Sequence, residues 1–131
     1  MIGLVLVAHA GIGRELLDAA EIIMGKLEKA ETICIQPDDP VDGIRDAIAG
    51  AIKKVDGDGV IIMTDMFGGT PSNMSLSFLQ ENRVEVLTGV NLPRMIKVAA
   101  DRSKYSVFEL AEKLKQCGRD SIIVAGGYLK K

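Results

Sequence analysis

The 131-residue chain contains a single histidine, His9, just beyond an apolar run from Ile2 to Val7. A second apolar run, Val60 to Thr64, leads straight into Asp65. A histidine whose ring nitrogen is held by a carboxylate has its tautomer and orientation fixed, which leaves the other nitrogen exposed as a nucleophile. Phosphoryl transfer suits such a pair. Glycines follow both residues: Gly11 and Gly13 after His9, Gly68 and Gly69 after Asp65, the latter leading into Thr70 and Pro71. Backbone N–H groups at glycine turns and helix starts attract anions, by roughly 0.3–1 kcal/mol each at exposed sites. Gly11, Gly68, Gly69 and the Thr70 hydroxyl are therefore candidate phosphate-binding groups. Each also has a purely structural role open to it. A histidine at a strand end is often only solvated, Asp65 can form a turn, paired glycines permit positive φ, and Thr70 can cap a helix. Those roles are compatible with holding an anion.

Other chemistries lack their parts. Gly11 and Gly13 form a GxG, but Leu16 stands where a dinucleotide fingerprint needs its third glycine. The chain has no GxxxxGK[ST] loop, no HExxH and no GxSxG, so nucleotide hydrolysis, zinc proteolysis and serine-hydrolase chemistry are not indicated. Cys34 and Cys117 lie far apart with no CxxC spacing, which points to neither a metal site nor a disulfide framework. No cofactor is expected. A flavodoxin-like flavin binder fits poorly with no Trp and 4% aromatic content, because flavin sites usually stack on aromatic rings. A net charge of −2 with scattered Lys and Arg argues against a nucleic-acid partner.

The elements that must position these residues follow from hydrophobic periodicity. Hydrophobic residues make up 47% of the chain and charged residues 26%, values of an ordinary globular protein, and the length predicts one domain over residues 1–131. Short β-branched runs alternate with longer amphipathic stretches, the pattern of βα units wound into a parallel sheet. Strands are predicted at Ile2–Val7, Thr32–Ile35, Val60–Thr64 and Val84–Leu87, with a last strand at Ser121–Ala125. Helices are predicted at about Arg14–Lys26, from the Asp38-Asp39-Pro40 turn to Val55, from a Thr70 cap to Glu81, and at Arg94–Asp101 and Ser106–Cys117. The expected fold is thus α/β and doubly wound, with helices on both faces of a mainly parallel sheet. In such a sheet ligands bind beyond the carboxyl ends of the strands, where strand order reverses. The loops after the first and third strands carry His9 and Asp65, and those strands are commonly neighbours. The opening apolar run has no basic leader and is far shorter than the roughly 20 residues of a membrane span, so it reads as a buried strand in a cytoplasmic protein.

Two segments carry a family likeness: Val5-Leu-Val-Ala-His9 with its glycine turn, and Thr64-Asp-Met-Phe-Gly-Gly-Thr-Pro-Ser-Asn73. Together they resemble the mannose-family IIA component of the bacterial phosphoenolpyruvate-dependent sugar phosphotransferase system, and Leu87-Thr-Gly-Val-Asn-Leu-Pro93 is similar to that family's fourth-strand loop. The resemblance implies that His9 accepts phosphate from the histidine phosphocarrier protein and donates it to a IIB component, which serves membrane IIC and IID partners. It implies that Asp65 pairs with the ring, and that Thr70 stands where the family commonly has Ser. It also implies a homodimer whose final strand crosses to the neighbouring subunit. The phosphoryl-donor subunit of dihydroxyacetone kinase is a related alternative that the GGTP sequence fits less well. A regulatory module read by a partner without onward transport is another.

Overall fold

The computed structural model describes residues 1–130. Four strands, β1 (Gly3–His9), β2 (Ala30–Ile35), β3 (Val60–Thr64) and β4 (Val84–Leu87), form a wholly parallel sheet of order β2-β1-β3-β4. Between and after them run α1 (Ile12–Met24), α2 (Val41–Val55), α3 (Thr70–Leu76), α4 (Leu92–Asp101), α5 (Val107–Asp120) and a short α6 (Ala125–Leu129). This is the doubly wound α/β architecture that the alternation of runs predicts.

The central strands are apolar along their whole length because both of their faces are covered. Along β1, Leu4 and Leu6 point into a core shared with Leu17 of α1, Met95 of α4 and Leu110 and Leu114 of α5. Val5 and Val7 point the other way, into a core with Ile44, Ile48 and Val55 of α2. Winding reverses between β1 and β3: the chain steps outward from β1 to β2, then crosses back over β1 to lay down β3. Val7 is paired with Thr64 across that boundary. The chain therefore leaves both strands at the same end of the sheet, with His9 on one side and Asp65 on the other.

Two buried guanidiniums tie the layers together with no carboxylate partner among the described residues. Arg102 donates to the carbonyls of Ile2 (2.9 Å), Glu28 (2.6 Å) and Lys29 (2.8 Å). Arg94 donates to the carbonyls of Leu114 and Thr88, each at 3.0 Å, and to that of Gly89. Five donors in a fixed fork let one arginine satisfy several loop and helix-end carbonyls at once.

Four sequence-based expectations differ from what the single chain shows. The third helix ends at Leu76 rather than Glu81, because the chain must turn back within a few residues to begin β4. Phe78 and Leu79 close tight turns onto Ser75 and Leu76, and Gln80 bridges to Val84. Thr70 is not that helix's cap: Gly69 takes the position with φ 92°, and Thr70 is already helical. The last strand, Ser121–Ala125, has no ladder within its own chain. α5 runs on to Asp120, Ile122–Val124 carry no strand pairing, and α6 follows. Ile122 and Val124 are 75% and 80% exposed. β-branched residues favour extended backbone, but a strand also needs an edge to bond to, and this segment meets none in its own chain. The first helix sits two residues earlier than its periodicity predicts, bounded by Gly11 and by Gly25 at φ 85°.

The approach of β1 to α2 leaves no room for a side chain at the strand's first residue. A Cβ on Gly3 would clash with the Val55 carbonyl oxygen. Gly3→Ala is expected to lower stability by about 1–3 kcal/mol, the usual cost of overpacking a tight contact. The urea unfolding midpoint of the variant against that of the wild type measures it.

Candidate functional site

β1 delivers its last residue to the open end of the sheet: every residue from Gly3 to Ala8 is buried and His9 is exposed. Ala10 then adopts φ 49°, a left-handed conformation uncommon for a residue with a Cβ. Its N–H donates to the Ile35 carbonyl at 2.9 Å. That kink turns the chain from β1 into α1, which Gly11 caps at its N-terminus.

Across the strand boundary, Asp65 takes hold of His9 through one carboxylate oxygen. Oδ2 accepts the backbone N–H of His9 at 2.9 Å and lies 2.7 Å from the ring Nδ1. Oδ1 accepts the N–H of Met66 at 3.0 Å. The contact of Nδ1 with a carboxylate assigns the ring proton to Nδ1, because a carboxylate can only accept. Nε2 carries no hydrogen bond to any described residue. The histidine side chain is 46% exposed and the aspartate 12%, so the carboxylate is sheltered and the ring is open to solvent.

The Asp65 carboxyl is held below the usual carboxylate range. Burial is the largest single influence and pushes the other way, but the His9 backbone N–H, the ring hydrogen bond and the ring's charge together outweigh it. Glycine geometry completes the surroundings. Gly68 and Gly69 both have positive φ, at 80° and 92°, and a Cβ on Gly69 would come 3.4 Å from His9 Cε1 and 3.8 Å from Nε2. The chain thus brings α3's first turn close to the Cε1–Nε2 edge of the ring.

His9 and Thr70 line one cleft of about 660 Å³, whose far wall is Ile35, Gln36, Asp39 and Val41. Of the residues singled out in the sequence, the structure joins His9 to Asp65 by hydrogen bonds. It sets Gly69 against the ring and Thr70 in the cleft, and it puts Gly11 and Gly68 in the adjoining turns. Gly13 has a different role: a Cβ there would meet the Leu6 Cβ at 3.3 Å, so it serves the packing of α1 on β1. The wall from the β2–α2 loop carries no motif and is visible only once β2 is known to lie beside β1. Among the described residues no group of three or more His, Cys, Asp or Glu side chains is placed to hold a metal ion, and no helix is long and apolar enough to cross a membrane.

The chain belongs to the mannose family of phosphotransferase-system IIA components: residues 3–115 match the family described as PTS system fructose IIA component. It is 30% identical over 112 residues to the PTS system sorbose-specific EIIA component of Lacticaseibacillus casei, covering 85% of this chain and 81% of that one. It is 26% identical over 133 residues to the fructose-specific EIIA component of Bacillus subtilis, covering 100% of this chain and 91% of that one. The mannose-specific EIIAB component of Escherichia coli (strain K12) is 27% identical over 124 residues, and the match takes up 38% of that longer protein. Among solved structures, the mannose/sorbose specific IIA subunit from Enterococcus faecalis superposes with a TM-score of 0.83 at 27% identity, covering 94% of this chain and 93% of that one.

The lowered carboxyl has a consequence for stability. A group whose folded pKa lies below its unfolded one contributes stability that is complete above the unfolded value, about 3.9 for Asp, and is lost as pH falls through the folded value. Asp65→Asn removes that contribution. The stability gap between wild type and variant is therefore expected to shrink as pH drops below about 4. Urea denaturation of both proteins below about pH 4 measures the gap, and one that widens across that window would contradict the assignment.

Proposed function

We propose that this chain is a phosphohistidine carrier that receives a phosphoryl group on His9 from the histidine phosphocarrier protein and gives it to a IIB component, in the cytoplasm, for sugar uptake through IIC and IID membrane partners. The observation that carries the proposal is the 2.7 Å contact between His9 Nδ1 and Asp65 Oδ2, which leaves Nε2 free on an open cleft.

In the forward step the Nε2 lone pair attacks the phosphorus of the donor's phosphohistidine. An Nε2–P bond forms, the donor's N–P bond breaks, and the donor ring leaves with that electron pair. His9 keeps its Nδ1 proton throughout, so its ring becomes a substituted imidazolium whose positive charge faces the Asp65 carboxylate. That charge–charge contact stabilises the phosphorylated form without moving a proton. The N–H groups at Gly11, Gly68 and Gly69 and the Thr70 hydroxyl would meet the phosphoryl oxygens. Those of α1 are helix-start donors with no intrahelical partner. Transfer to the acceptor is the same step reversed on a different nitrogen or sulfur nucleophile.

The test is labelling. Phosphoenolpyruvate with the general upstream enzyme and the histidine phosphocarrier protein is expected to label the chain, with a bond that is acid-labile and base-stable. ATP with magnesium is not. His9→Ala is expected to abolish the label while leaving the circular dichroism spectrum unchanged, since trimming an exposed loop-end side chain costs little stability. Asp65→Asn is expected to slow transfer by roughly tenfold to thousandfold, the scale of positioned acid–base groups. A His9→Ala protein that still takes the label would remove His9 from the role.

We further propose that two copies pair through the C-terminal segment. Ile122, Ile123, Val124, Tyr128 and Leu129 are all exposed, and β4 is an edge strand whose outer side is met by the Gln80 bridge at Val84 and, beyond it, by no other strand among the described residues, an arrangement that invites strand addition from a second chain. A chain ending at Ser121 is expected to keep its monomer fold, because the removed residues are exposed, and to lose the dimer. A truncated chain that remains dimeric by light scattering contradicts this pairing.

A further inference from the structure

The loop that carries Asp65 is tethered from below by two hydroxyls that the phosphoryl-transfer reading does not use. Thr64 and Ser72 are both fully buried, and their side-chain oxygens lie 2.7 Å apart. The Ser72 hydroxyl donates to the Met66 carbonyl. With that proton committed, the bond between the two hydroxyls has one direction, Thr64 donating and Ser72 accepting, and the Thr64 hydroxyl also lies 3.5 Å from the Met66 carbonyl itself. The chain of bonds therefore runs from Thr64 through Ser72 to Met66.

Met66 is also the residue that orients the carboxylate. Its N–H donates to Asp65 Oδ1, while Oδ2 takes both the backbone N–H and the ring of His9. The rest of the loop offers little restraint. Met66 and Phe67 side chains are 55% and 76% exposed, and the next two residues are glycines at positive φ. The position of the Met66 backbone, and through it the angle of the Asp65 carboxylate, rests on the buried hydroxyl pair.

We propose that Ser72, backed by Thr64, is a positioning residue for the His9–Asp65 pair: by pinning the Met66 carbonyl it holds the carboxylate where the ring proton stays on Nδ1 and Nε2 stays free to attack. This rests on the reading of His9 as phosphoryl acceptor and refines it. Without the tether the carboxylate can swing away from Nδ1, which admits the tautomer protonated at Nε2, and that tautomer has no lone pair at the reacting nitrogen. Small displacements of a reacting group cost up to about a hundredfold in rate.

Two readouts separate positioning from mere support of the fold. The first is the tautomer ratio of the one histidine, read from the ring nitrogen shifts of uniformly nitrogen-15-labelled, unphosphorylated protein. The second is steady-state transfer from phosphorylated histidine phosphocarrier protein, resolved into kcat and KM. Ser72→Ala is expected to raise the share of the Nε2-protonated form and to lower kcat by about ten- to a hundredfold, with KM for the donor changed by less than about twofold, because the docking surface is untouched. Thr64→Val, close in shape but without the hydroxyl, is expected to move both readouts the same way by less, and Thr64→Ser to return them to wild-type values. Should Ser72→Ala fail to fold, the Thr64→Val and Thr64→Ser pair carries the same comparison. A folded Ser72→Ala protein with wild-type tautomer ratio and wild-type kcat overturns the proposal, even if its melting temperature falls. A tautomer shift in the variants alongside a wild type that no phosphocarrier labels supports the positioning role and places the failure in the acceptor reading.

Discussion

One carboxylate oxygen carries the site. Asp65 Oδ2 accepts both the backbone N–H and the ring Nδ1 of His9, so it fixes where the strand end sits and which way the ring faces. Such a contact needs the two residues to leave adjacent strands at the same level. The sheet order β2-β1-β3-β4 makes β1 and β3 neighbours, and the pairing of Val7 with Thr64 sets the level. A slip of one residue would turn every β1 side chain to the opposite face. Leu4 and Leu6 would then exchange cores with Val5 and Val7, which packing on both sides forbids. The apolar cores and the polar pair therefore specify the same register.

The pair is also divided in its exposure, and that division is what makes it useful. Asp65 is sheltered, and burial alone would favour its neutral form. The hydrogen bonds from His9 reverse that preference and keep the carboxylate charged. A charged carboxylate close to the ring can balance a positive charge on the imidazole without taking its proton. His9 stands half in solvent, where a large donor can reach its outer nitrogen. Gly69 follows the ring closely enough that a Cβ there would be in van der Waals contact with Cε1 and Nε2.

Much of this was legible in the sequence, and the parts that were not share a cause. Apolar runs fully buried on both faces, such as Val60–Thr64, announce themselves as central strands, and the residues that follow them fall at the sheet's open end by topology alone. His9 and Asp65 fall at that end of the sheet, and so do the glycine pair and Thr70. What local pattern does not contain is contact between distant segments. The segment Ser121–Ala125 has strand-forming residues and no edge in its own chain. The third helix stops short because Gln80 must bridge to Val84. Gly69 displaces Thr70 as cap because the backbone turns one residue early. The Thr64–Ser72 pair and the carbonyl-binding arginines, Arg94 and Arg102, depend on partners up to 100 residues away. The β2–α2 wall of the cleft likewise exists only once β2 is laid beside β1.

On the proposed function, a phosphoryl group has one ring atom open to it: Nδ1 is bonded to Asp65, Nε2 is open, and His9 is the chain's only histidine. The most direct measurement is nitrogen–phosphorus NMR of the phosphorylated protein carrying nitrogen-15 histidine. A phosphorus coupling to Nε2, with a proton still attached to Nδ1, is the predicted result; a coupling to Nδ1 would contradict the account.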